Sequence, residues 1–185
     1  MKEKSSTFDE KAIIAQLGNE STREAAFSAI IKQYGEKLYW HIRQMVLSHD
    51  DSNDILQNTF IKAWTNIDKF RGDSQLSTWL YRIAINETLT FIGKKRNEIS
   101  LDSPEGEIAF QFEGDPYFDG DHTDALLQEA IARLPEKQRL VFNMKYCQEL
   151  KYEEISQILG TSVGALKASY HLAVKKIEEF LADKD

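Results

Sequence analysis

Residues 150–177, LKYEEISQILGTSVGALKASYHLAVKKI, read as two short helices joined by a tight turn. In the first, Ile155, Ile158 and Leu159 recur at helical spacing, and Gly160 stands where a glycine commonly ends a helix. Ser162 is placed to cap the second, in which Val163, Leu166, Tyr170, Ala173 and Ile177 follow at steps of three and four. That stripe faces inward. It leaves Gly164, Lys167, Ala168, His171 and Lys175 on an outer face, small at its start and basic further on. Small residues let a backbone approach base edges, and the lysines reach phosphates, so the pattern predicts a DNA-reading helix-turn-helix. An ordinary helical hairpin with a solvated basic face has the same spacing.

At 185 residues the chain holds one large domain or two small ones. Hydrophobic residues make up 42%, enough to exclude wholesale disorder. No apolar run approaches the roughly 20 residues of a membrane span, and residues 1–20 lack a signal-peptide core. The single cysteine, Cys147, excludes an internal disulfide and fits a reducing, cytoplasmic setting. Its neighbours Val141, Met144 and Tyr146 make it a packing residue rather than a nucleophile. The net charge of −7 looks wrong for a DNA-binding protein until it is located. Residues 97–122 carry Glu98, Asp102, Glu105, Glu107, Glu113, Asp115, Asp119 and Asp121, and no Lys or Arg. The rest of the chain is left at +1. So small an excess predicts weak DNA binding by the chain on its own, since non-specific affinity comes mainly from phosphate neutralisation.

The order of patterned segments predicts an all-α chain of two small helical domains and a linker. After a lead segment, 1–20, Ser21-Thr22-Arg23-Glu24 has the capping-box form. Behind it Phe27, Ile31, Tyr34, Leu38, Ile42 and Met45 form one stripe to about Val46. A second helix is expected from Asp50-Asp51 through Trp64, burying Ile55, Thr59 and Ala63. Residues 68–77, DKFRGDSQLS, read as a loop, with Ser77 capping a third helix. In that helix Leu80, Ile83, Glu87 and Phe91 lie on one line, and Trp79, Arg82, Asn86 and Leu89 on another. It is expected to end at Lys94-Lys95-Arg96, closing a first domain at 21–96. Residues 97–122, with three Gly, two Pro and no period, read as an acidic linker. The second domain is expected over 123–185, with Leu126, Ala130 and Ile131 inward and Pro135 opening the next helix.

Two separated segments resemble one family. DDSNDILQNTFIKAW with KFRGDSQLSTWLYRIAINETLTFIGKKR is similar to region 2 of bacterial RNA polymerase sigma factors. IARLPEKQRLVFNMKYCQELKYEEISQILGTSVGALKASYHLAVKKI is similar to their region 4. The order, the acidic linker and the lack of a middle domain resemble the extracytoplasmic-function (ECF) group of the sigma-70 family.

The resemblance implies a factor that binds core RNA polymerase, directs it to −35/−10 promoters and helps to melt the DNA. The helix from Asp51 is then expected to dock on the coiled-coil clamp of the largest subunit, through Asp51, Asp54, Gln57 and Lys62, with Phe60 and Trp64 as anchors. Asn53 and Asn58 stand where the family often carries Glu, which makes this surface less acidic. Arg71, Ser74 and Ser77 and the helix after them resemble the element that captures a flipped −10 base. Asn86 offers both a donor and an acceptor to a base edge, and Arg82, Lys94, Lys95 and Arg96 are candidate phosphate contacts. In region 4 the candidate −35 readers are Ser162, Gly164, Ala165, Lys167, Ala168, Ser169, His171 and Lys175. Ser169, Leu172 and Val174 stand where many relatives carry Arg, so readout is expected to lean on fewer charges. The β flap of polymerase and an anti-sigma factor complete the partners that the resemblance implies.

No enzyme is expected, and no cofactor, metal or catalytic residue. His41, His49, His122 and His171 are scattered, and no Gly-rich phosphate loop occurs. Two rival readings differ in class. One is a self-sufficient helix-turn-helix regulator. The other is a sigma-like protein that binds polymerase without opening DNA.

Overall fold

The computed structural model describes residues 8–46, 48–70, 72–102 and 122–184, excluding the side chains of 96–102 and 122–125. The described residues form eight α-helices and no strand. They are α1 (Glu10–Leu17), α2 (Glu20–Val46), α3 (His49–Asn66), α4 (Leu76–Asp102), α5 (His122–Ala132), α6 (Glu136–Phe142), α7 (Tyr152–Leu159) and α8 (Val163–Ala182). A 3-10 turn, Ile67–Lys69, follows α3, and a π turn, Asn143–Cys147, continues α6.

The first half is a bundle in which α2 packs on α1, α3 and α4. Every residue of the predicted α2 stripe is buried except Ile31, which is 42% exposed, its place being taken by fully buried Ile30. In α3 the expected buried side is the observed one: Ile55, Thr59 and Ala63 all lie inside. Thr59 is neutralised locally, its hydroxyl donating to the Ile55 carbonyl at 2.8 Å. The α3 cap is Ser48, whose Oγ accepts from the Asp51 N–H at 3.3 Å.

Several local expectations are corrected. Residues 10–17 of the lead segment form α1, capped by Asp9, and its Leu17 is part of the core. Ser21 does not cap α2. The Asn19 side chain does that work, accepting from the Ser21 N–H at 3.1 Å and its hydroxyl at 2.9 Å. Along α4 the buried line is Leu76, Leu80, Ala84 and Thr88 with Tyr81 and Ile85; of the two lines read from the sequence only Leu80 is fully buried, while Trp79, Ile83, Leu89 and Phe91 are half-buried against the core. The helix packs on both α2 and α3, and a side pressed against two partners draws on more positions than one stripe. It also continues to Asp102, six residues beyond the basic run at which it was expected to end.

In the second half α8 packs against α5, α6 and α7. Gly160 takes φ +64°, the left-handed conformation that ends α7, and its N–H bonds back to the Ser156 carbonyl. Ser162 then caps α8, its Oγ accepting from the Ala165 N–H at 3.3 Å. A small core of Ala130, Ile131, Leu134, Phe142, Ala173 and Ile177 is local to this half. The larger core is not local. It runs from Ile30, Leu38, Met45 and Leu80 into Leu140, Met144, Ile155 and Leu166. Contacts of α4 with α7 and of α2 with the π turn join the halves. Gln148 donates to His41 Nδ1, and the Asn143 amide lies 3.7 Å from Met45 Sδ. Because apolar burial crosses the junction, a chain cut by protease within 103–121 is expected to keep its two parts together. Gel filtration of the nicked protein checks this; two separately eluting fragments would show that the junction does not hold.

Candidate functional site

The long exposed face of α3 follows from its register. With Ser52, Ile55, Thr59 and Ala63 inside, Asn53, Asp54, Gln57, Asn58, Ile61 and Lys62 point to solvent. Asp51 is half-buried and paired with Lys95 of α4 at 2.8 Å, and Lys62 pairs with Glu87 of α4. Phe60 is a correction to the expected anchors. It is buried beside Phe27, ring to ring at 6.3 Å, so it holds α3 on α2 and cannot reach a partner. Trp64 packs edge-on against Phe27 at 5.0 Å and still leaves 39% of its surface open. Ile61, at 56% exposed, is a large apolar side chain on this open face. Sequence reasoning passed over it. A single isoleucine outside an inward stripe is a weak signal.

One turn further along α3 lies a cleft of about 290 Å³ between α3 and α4. Lys62, Asn66 and Lys69 line one wall, and Trp79, Ile83, Asn86 and Glu87 the other. Asn86 thus brings a donor and an acceptor to the same wall of the cleft as the Trp79 ring. Asn66, one helical turn after Lys62 at the end of α3, and Lys69, in the 3-10 turn, were missed because no periodic stripe marks them. Lys69 Nζ donates to Asn66 Oδ1 at 2.8 Å, joining that turn to the end of α3.

The other −10 candidates are spread along the connection and α4. Arg71 lies outside the described residues, as does the side chain of Arg96. Ser74 is half-buried in the connection; Ser77 does not cap α4, its hydroxyl meeting Gln75 Oε1 at 3.4 Å instead. Lys94 is exposed, whereas Lys95 is held by Asp51 and lies 5.4 Å from the Phe91 ring. Arg82 is exposed but not free. Its guanidinium donates to the Gln157 carbonyl of α7, across the junction of the halves.

On α8 the exposed face carries Gly164, Ala165, Lys167, Ala168, His171 and Lys175, with Ser162 at its head and Ser169 at its half-buried edge. Lys167 lies 5.7 Å from the Tyr152 ring, and Lys175 is 3.7 Å from Glu179 on the same helix. Both lysines are exposed. The face thus offers methyl groups and hydroxyls near the helix start and exposed positive charge further along. Cys147 is half-buried beside Asn143 Oδ1, and burial pushes its thiol up, which suits a packing residue. No cluster of potential metal ligands occurs among the described residues, and none of their helices is long and apolar enough to cross a membrane.

This arrangement matches known proteins along most of its length. Residues 30–98 match the sigma-70 region 2 family and residues 124–177 match sigma-70 region 4. The chain is 35% identical over 168 residues to the ECF RNA polymerase sigma factor SigW of Bacillus subtilis, covering 85% of this chain and 90% of that protein. It is 30% identical over 166 residues to the ECF RNA polymerase sigma-E factor of Escherichia coli, covering 84% and 86%. Among solved structures, CnrH in complex with the cytosolic domain of CnrY shares the fold with a TM-score of 0.71 at 21% identity, over 95% of this chain and 99% of that one. The sigma factor RpoE of Bartonella quintana, bound to the anti-sigma factor NepR, shares it with a TM-score of 0.70 at 24% identity, over 84% and 96%.

Proposed function

The chain belongs to the ECF group of the sigma-70 family, and on that footing we propose how its surfaces divide the work of an RNA polymerase-binding sigma factor. The open face of α3, with Asp54, Gln57, Ile61 and Trp64, docks on the coiled-coil clamp of the largest subunit of core polymerase. The cleft beside it receives a −10 base unstacked from the duplex, with Asn86 reading its edge and Trp79 supporting its face. The exposed face of α8 enters the major groove at the −35 element, and the second half meets the β flap. The halves are proposed to be separate domains, 21–96 and 123–185, once on polymerase, with 97–122 as the connecting segment. The protein works in the bacterial cytoplasm without catalytic residues of its own, and an anti-sigma factor is a further partner.

The observation that carries this division is the adjacency of the solvent-facing α3 surface and the Asn86-lined cleft, which puts polymerase contact and base capture side by side. Transcription in vitro with core polymerase and a promoter library tests the whole reading. Asp54→Arg tests the docking face. It reverses a charge on an open surface, so core affinity is expected to fall about five- to tenfold at low salt, with the loss shrinking as salt rises. Wild-type core binding by Asp54→Arg across the salt range would move the docking face elsewhere.

A further inference from the structure

We propose that Glu10 is a positioning residue for base capture, holding the start of α4 and with it the connection that leads into the Asn86 cleft. The inference rests on the cleft reading above. One carboxylate oxygen of Glu10 accepts from the Leu76 N–H at 2.8 Å, and the other meets the Tyr34 hydroxyl at 3.3 Å. Leu76 is the first residue of α4, and its N–H belongs to the first turn that a helix cannot satisfy internally. No local side chain serves it. Ser77 is engaged with Gln75, and the first backbone bond runs from the Trp79 N–H to the Gln75 carbonyl. The cap therefore comes from 66 residues away, and its negative charge suits a helix N-terminus.

The other end of the connection is held from the same place. Asp68, in the 3-10 turn, pairs with Arg23, whose Nε donates to the carbonyl of Leu17, the last residue of α1. So α1 meets one end of the connection directly, through its first residue, and reaches the other through Arg23 of α2, which its last residue holds. Tyr34, which carries the Glu10 contact, is itself fixed, its ring meeting Phe8 edge-on at 5.6 Å. Three residues beyond Leu76 comes Trp79, which lines the cleft and packs on Phe70 at 5.3 Å. A shift at Leu76 is passed within one helical turn to the support of the captured base. Glu10 touches no DNA in this scheme.

The test uses holoenzyme assembled from the full chain and core polymerase, with promoter fragments already melted over the −10 region. Each melted position is replaced in turn by an abasic nucleotide, and affinity is compared with the intact fragment. Wild type is expected to lose about tenfold or more at one position, the scale of a stacked base. Glu10→Ala is expected to reduce that preference about fivefold, the scale of a lost cap, with core binding within about twofold of wild type. Glu10→Gln keeps an amide oxygen for the Leu76 N–H and is expected to retain the preference. Should Glu10→Ala not fold, Tyr34→Phe leaves the ring packed and is expected to lose about twofold of the preference. An unchanged preference in Glu10→Ala, or in Tyr34→Phe where Ala does not fold, overturns the proposal. A fall in core binding equal to the fall in preference also overturns it, because that marks a purely structural role. If wild type shows no abasic penalty at any position, the cleft reading itself fails and this inference falls with it.

Discussion

Replacing Asn86 by alanine is expected to lower open-complex formation on a duplex promoter by between about 5- and 150-fold, with core polymerase binding within about twofold. Asn86 is exposed on the α4 wall of the cleft, and the docking face proposed above lies on α3. One bidentate contact to a base edge discriminates by about 1–3 kcal/mol, which sets the range. The cleft cannot replace that contact from its other wall. Lys62 is drawn to Glu87, and Lys69 to Asn66. A template melted beforehand removes the cost of strand separation but not the need to capture the base, so it is expected to rescue Asn86→Ala only in part. Co-purification with core and open-complex assays on both templates separate these effects. Loss of core binding, or wild-type opening on duplex, would refute the assignment.

The second large effect is acid sensitivity at His41. This side chain is fully buried on α2 where the π turn packs, with Gln148 donating to Nδ1 and the Tyr81 ring edge-on at 5.6 Å. Nε2 has no partner among the described residues. Burial alone lowers the imidazole to about 4 from an ordinary 6.5. Tyr81, pushed up to about 12 by burial, stays neutral through this range and offers no compensating charge. A group depressed in the folded state contributes stability that is whole above about 6.5 and is lost as pH falls toward about 4. At about 1.4 kcal/mol per pH unit, that loss is on the order of 3 kcal/mol. His41→Gln has no such titration. The difference in unfolding free energy between wild type and His41→Gln, followed by urea denaturation from pH 7.5 to pH 4, is expected to shift by that amount. Parallel curves would show that His41 is protonated without cost where it lies.

What could be read from the sequence was whatever the chain settles locally. The turn at Gly160 and the cap at Ser162 are made by neighbours, and in the α8 stripe Leu166, Ala173 and Ile177 are buried with Val163 and Tyr170 half-buried, so those residues are legible in order. The buried side of α3 is legible for the same reason. The misses come from distant partners. A cap supplied by Glu10 leaves no mark near Leu76, and Ser77 was the sensible local candidate. Helix α1 is only eight residues long, below the length at which helices stand alone, and forms because it packs on α2. Phe60 and Trp64 lie one turn apart on one helix and both meet Phe27, yet only Phe60 is buried, which their spacing does not reveal. The contact of Arg82 with the Gln157 carbonyl joins residues 75 apart, which no motif encodes.

The junction between the halves acts as a competitor to every partner that needs them apart. In the described arrangement α4 touches α7, whereas two promoter elements even one duplex turn apart are separated by about 35 Å. A partner that binds only the parted arrangement sees its affinity divided by the ratio of closed to parted molecules. Each 1.4 kcal/mol in the junction is then worth about tenfold in apparent affinity. If polymerase takes the halves only in the parted arrangement proposed above, substitutions at Gln148 or Met144, which touch neither α3's open face nor α8's, are expected to change how much factor is needed before polymerase is occupied. On that reading, dosage sensitivity is a property of the packing between the halves as well as of the proposed docking surface.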